Sequence, residues 1–120
     1  MESILFGFRK EHVSEGDALG YVNTVGNSLL SSLGFSLERS QAHIAGGATR
    51  TYRDAGESLI EHFHTLANPD LQHSIPVHVN VFHVTSFPER VHEIRRKISD
   101  YSKSRGYTAR EGLADSLSLI

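Results

Sequence analysis

The sequence predicts a single α/β domain on a four-stranded sheet, its elements in the order β-α-β-β-α-β-α. Three observations carry that reading. Ile75, Val77, Val79 and Val81 form a β-branched stripe at the two-residue period of a strand. Directly after it, Phe87, Val91, Ile94, Ile98 and Tyr101 recur at helical spacing up to Gly106. Gly46-Gly47 falls between two extended segments, which is the pattern of a hairpin turn. A chain of 120 residues holds one core, here 1–106, with 107–120 as a tail.

Ser3 to Arg9 is apolar at Ile4, Leu5, Phe6 and Phe8, so both faces call for burial and the stretch reads as a central strand. Ser14 and Asp17 make a capping pair ahead of Ala18, Leu19, Val22, Val25, Leu29 and Leu33, a helix closed by Gly34. Gly20 and Gly26 weaken that helix, so its stability must come from packing. Phe35 to Ala45 and Thr49 to Arg53 read as strands either side of the Gly-Gly turn. Asp54 with Glu57 repeats the capping pattern, and Leu59, Ile60, Phe63, Leu66 and Ala67 then predict a short helix ended by Asn68-Pro69. A loop, Asp70 to Ser74, leads to the strand at 75–84, whose second face is mixed: Pro76, His78, Asn80, Phe82 and Val84. Ser86 precedes Phe87-Pro88-Glu89 as the cap of the last helix. Leu113, Leu117 and Ile120 give the tail a faint helical pattern.

With the hairpin formed, the first six elements make the split βαβ of ferredoxin-like folds, an antiparallel sheet with helices on one face, and this is the preferred architecture. The element order is also similar to that of BRCT domains, which implies the alternative of a parallel four-stranded sheet with helices on both faces. The continuous apolar first strand fits that alternative. The tryptophan usual near the end of that family's last helix has no counterpart here, and no binding residues carry over.

Composition excludes several function classes. Apolar residues at 38% and charged residues at 22% are those of an ordinary globular chain. A net charge of -2 gives no global attraction for nucleic acid. Cysteine is absent, which excludes disulfides and thiolate chemistry and favours a reducing compartment. No apolar run approaches the roughly 20 residues that span a bilayer, and Met1-Glu-Ser lacks the basic start of a signal peptide. The expected setting is the cytoplasm or the inside of a viral particle, without membrane contact.

Eight histidines are the one compositional oddity. His12-Val13-Ser14 and His83-Val84-Thr85 resemble the paired His-x-Ser/Thr motifs of the 2H phosphoesterases. The resemblance implies one imidazole as general base and the other as general acid on a phosphodiester, with His12, Ser14, His83 and Thr85 as catalytic residues. A ferredoxin-like sheet puts the two histidines at opposite ends, and only a parallel arrangement brings them to one edge. Ser14 is equally a helix cap. Glu61 with His64 and Glu89 with His92 have the Glu-x-x-His spacing of helical metal ligands. On a helical wheel they fall away from the apolar stripes and should be solvated, so no metal set or cofactor is expected. His78 and Asn80 share a strand face with His73 just before them, a conceivable anion or metal contact. His62 and His64 diverge on the predicted helix and cannot chelate together.

The last helix carries Arg90, Arg95, Arg96, Lys97, Lys103 and Arg105, of which Glu93 to Lys97 and Arg96 to Asp100 are i,i+4 pairs of a solvated face. Arg90, Lys97 and Tyr101 form one flank, continued by Lys103, Arg105, Tyr107 and Arg110, and Arg50, Tyr52 and Arg53 form a second basic and aromatic cluster. These are the candidate contacts to a partner or a phosphate backbone. By elimination of nucleotide loop, nucleophile and metal set, the sequence favours a non-catalytic interaction or assembly module. Self-association or a protein partner is expected, for instance in a phage or bacterial accessory factor for particle assembly or nucleic-acid packaging. The small phosphoesterase and an RNA- or DNA-binding domain are the alternatives.

Overall fold

In the computed structural model, which describes residues 1–44, 46–66 and 76–109, the chain begins with β1 (Glu2–Glu11) and α1 (Glu15–Thr24). A π-helical turn (Val25–Leu30) prolongs α1, and β2 (Ser36–Ala42), β3 (Ala48–Asp54), β4 (Glu57–Leu66) and β5 (Val77–Ser86) follow. Last come α2 (Pro88–Ser104) and β6 (Thr108–Ala109). The strands form one six-stranded sheet in the order β2-β3-β4-β5-β1-β6, and every neighbouring pair is antiparallel.

This overturns the four-stranded expectation in both its forms, the ferredoxin-like split βαβ and the parallel BRCT-like sheet. The difference arises at 54–66, which is strand and not helix. Ala55 and Gly56 have φ of 43° and 88°, the left-handed pair that a two-residue hairpin loop needs, so β3 turns straight back into β4. Along β4, Glu57, Leu59, Glu61 and Phe63 are buried while Ser58, Ile60, His62 and His64 are half-buried on the other face. That alternation prevails over the helical spacing of Leu59, Ile60 and Phe63 because Ser58 to Phe63 each have cross-strand partners in both β3 and β5.

Both helices pack on one face of the sheet. There Phe6 stacks on Phe82 at 5.4 Å, Phe8 meets Phe82 edge-on at 6.3 Å, and Val91, Ile94 and Ile98 of α2 close the core above them. The Gly46-Gly47 turn forms as expected, with φ of 98° and 82°. A Cβ on Gly47 would run into the Phe63 carbonyl, so only glycine fits there. Gly34 and Gly106, at φ of 92° and 83°, end the helical segments as the sequence predicts.

The stripe Val77, Val79, Val81 faces away from the helices, and His78, Asn80, Phe82, Val84 and Ser86 face them, buried. Ser86 does not cap α2. The N-cap is Phe87, without a side-chain bond, and the Ser86 hydroxyl donates to Glu57 Oε1 instead. Beyond the helix, Tyr107 is buried and Thr108–Ala109 pair with Phe8 and Arg9 of β1. The Asn68-Pro69 stop, the loop at 70–74, His73, Arg110 and the tail pattern at Leu113, Leu117 and Ile120 lie outside the described residues.

Candidate functional site

Two regions gather chemistry. The first is a polar seam between sheet and helices. Glu61 of β4 has no exposed surface, Asn80 Nδ2 donates to its Oε2 at 3.1 Å, and the Tyr52 hydroxyl donates to its Oε1 at 3.4 Å. Burial pushes the carboxyl up to about 7, against the opposing pull of the Asn80 bond, the Arg50 charge and the Tyr52 bond. Burial and the nearby carboxylate push Tyr52 up to about 12. Beside it, His78 Nδ1 and the Tyr107 hydroxyl share a hydrogen bond of 2.9 Å, and burial, with the charge of His64, holds His78 down to about 4. Tyr21 of α1 stacks on Tyr107 at 4.0 Å, and its hydroxyl bonds Ser102 Oγ at 2.5 Å. Burial raises Tyr21 and Tyr107 well above the ordinary phenol range, so both stay neutral. With Glu61 sealed from solvent, its protonation bears on the stability of the fold.

The second region is the sheet face opposite the helices, which no element covers among the described residues. In register across it run Leu5, His83, Ile60 and Thr51, then Gly7, Val81, His62 and Thr49, then Arg9, Val79 and His64. Leu5, Ile60, Val77 and Val79 are half-buried, and Val81 at the centre is buried yet outside the main core cluster. Thr49 Oγ1 links His43 Nε2 at 2.6 Å to His62 Nδ1 at 2.9 Å. Burial lowers the His62 pKa, helped by the charges of His43 and His83. Arg9 bonds Glu11 at 2.9 Å beside Val79, and Arg53 bonds Glu38 at 2.7 Å toward the β2 edge. Among the described residues no group of three or more histidines and carboxylates is placed to hold a metal.

The predicted catalytic set is not brought together. His12 N donates to the Pro76 carbonyl at 2.8 Å, whereas His83 pairs with Leu5. From Pro76 to His83 the strand rise amounts to about 23 Å. Ser14 Oγ caps α1 by accepting from Asp17 N at 3.2 Å, and Thr85 bonds Ser3 at 2.8 Å. Glu61 and His64 point to opposite faces of β4, and Glu89 and His92 are exposed on α2.

The predicted contact residues fall in separate places. Arg50 donates to Asn23 Oδ1 at 2.9 Å and lies over the Phe63 ring, under the helices. Arg53 is on the open face, paired with Glu38. Arg90 donates to Glu57 Oε2 at 3.1 Å, Asp54 Oδ2 at 2.9 Å and the Leu33 carbonyl, and sits over Phe35. Burial disfavours that charge, but the hydrogen bonds and charges of Glu57 and Asp54 prevail and raise its pKa. Lys97 pairs with Glu93 at 3.6 Å, Lys103 is exposed, and Tyr101 stacks on Tyr21 at 5.8 Å with Arg105 over its own ring.

The sequence reading missed the Glu61 seam and the open face. The one signal for both was the Asp54-Ala55-Gly56 turn, after which a strand from Glu57 to His64 has Glu61 inside and His62 outside. No protein family, curated protein or solved structure matches the chain.

Proposed function

We propose that the chain is a non-catalytic interaction module, an assembly or accessory factor, that works through the open face of its sheet. One observation carries the reading. Leu5, Ile60, Val77 and Val79 lie half-buried on a face that no described element covers, while the helices lie on the other side. Antiparallel sheets with one face in water ordinarily present polar residues there, and a contiguous apolar patch marks a surface that is covered in use. The edge strand β2 is a poorer docking site: it carries Glu38 and Arg39 and a register shift between Leu37 and Arg39, devices that discourage strand addition. Glu61 and Arg90 are engaged within the fold and leave no charge free for a partner there.

The test compares the full chain with Ile60→Lys and Val79→Lys, each checked for a native circular-dichroism spectrum. Sedimentation over a concentration series reads self-association, and capture on immobilised protein reads other partners. Loss of an association in both variants supports the reading. A chain that remains a monomer and retains nothing that the variants do not also retain refutes it.

A further inference from the structure

We propose that the partner of the open face is a second copy of this chain, packed sheet against sheet about a twofold axis, and that protonation of His62, His64 and His83 separates the pair. The inference rests on the interaction-module reading and specifies its partner and its regulation. Area argues first. Four strands of up to ten residues, at the usual rise and spacing, present about 33 by 19 Å, or about 1,200 Å² for two copies, which clears the roughly 1,000 Å² of a specific interface. Sheets stack readily at about 10 Å with a small crossing angle, and a twofold axis makes one self-complementary patch sufficient.

Charge argues second. The fixed charges on this face are few: Arg9, opposite Val79 and paired with Glu11 on β1, Arg53 on β3 with Glu38 of β2, and Arg39 on the edge strand. Arg9 beside Val79 is offset by Glu11, and around Ile60 and Val81 there is no fixed charge, so with neutral imidazoles two copies meet at little like-charge cost. His62 faces Thr49 and His43 on its β3 side and lies diagonal to His83 on β5; His64 pairs with Val79. Protonation therefore places three cations per copy on an apolar, self-facing patch, where burying them is costly.

The experiment is sedimentation of the full chain at about pH 7.5 and about pH 5, monitored in parallel by circular dichroism. The expected result is the mass of two chains at the higher pH and of one folded chain at the lower, the dissociation constant rising about tenfold or more. A variant with His62→Gln, His64→Gln and His83→Gln should keep the pair at low pH, and Val79→Lys should be a monomer at both. Should the triple variant misfold, His83→Gln alone should lessen the acid weakening. A monomer at every pH overturns the second-copy assignment, and if capture still depends on the open face the module reading survives that result. A pair equally tight at both pH values, or acid weakening that the histidine variants retain, overturns the proton release.

Discussion

Asn80 Nδ2 donates to Glu61 Oε2 across 3.1 Å between β5 and β4, in a place neither side chain shares with solvent. The amide holds a carboxyl whose burial moves it from an ordinary 4.5 to about 7, and Asn80 Oδ1 is itself buried without a partner. Burial thus favours the neutral acid against two hydrogen bonds that favour the carboxylate.

The sign of the consequence follows from linkage. Between those two values the folded protein holds a proton that the unfolded chain has released. Its contribution is complete below about 4.5 and is lost as pH rises through about 7, a change of about 3 kcal/mol. Glu61→Gln retains an acceptor for Asn80 and has no proton to lose. Urea unfolding across pH should show the variant gaining about 3 kcal/mol on the natural chain between mild acid and mild alkali. Parallel pH profiles would refute the assignment.

His78 slopes the other way. It falls from 6.5 to about 4, so its contribution is present above about 6.5 and disappears as pH drops through about 4. The two effects oppose each other between about 4.5 and 6.5 and flatten the profile of the natural chain. His78→Gln can still bond Tyr107 and should lose the acid limb, leaving a monotonic decline in stability with rising pH. Combined with Glu61→Gln, it should give a profile without either slope, read by the same unfolding series.

Much of the frame is legible in sequence because its signals are local. The Gly46-Gly47 turn, the Ser14 cap, the stop at Gly34 and the stripe of α2 each involve residues within a few positions of one another. What fails is whatever depends on distant partners. Asp54 and Glu57 are capping types by spacing, but in the fold they end β3 and begin β4 and both hold Arg90, more than thirty residues on. His78 and Asn80 stand on the mixed, partly covered face of their strand, opposite three valines. They turn inward because Tyr107 and Glu61 satisfy them, a condition that no local period contains. The open face is hidden for the same reason, since its apolar rows assemble across strands that the sequence separates by up to eighty residues.

Arg90 clamps α2 to the β3–β4 hairpin. Glu57 is buried, and truncating Arg90 to Ala leaves it with Ser86 alone, at a cost of about 3 kcal/mol. The Asp54 arm is more exposed and adds little. Adding Glu57→Gln to Arg90→Ala should recover part of the loss because no unpaired charge stays buried. A double-mutant cycle in urea should then return a coupling of about 1–2 kcal/mol, and strict additivity would show that the clamp is not a unit.

The π-helical turn after α1 brings Gly26 against the sheet, so close that a Cβ there would overlap the Tyr52 hydroxyl, with ring Cζ at 3.3 Å. Gly26→Ala should therefore destabilise by about 1–3 kcal/mol, chiefly through overpacking. Tyr52→Phe removes the obstructing oxygen together with its bond to Glu61, and alone should cost about 1 kcal/mol. Joined, the two substitutions should cost less than their sum, since the phenylalanine ring edge can give by a few tenths of an ångström where the bonded hydroxyl cannot. Thermal and urea unfolding of the four chains decide it: an additive pair would mean that Gly26 is needed for its backbone in the turn and not for the space it leaves to Tyr52.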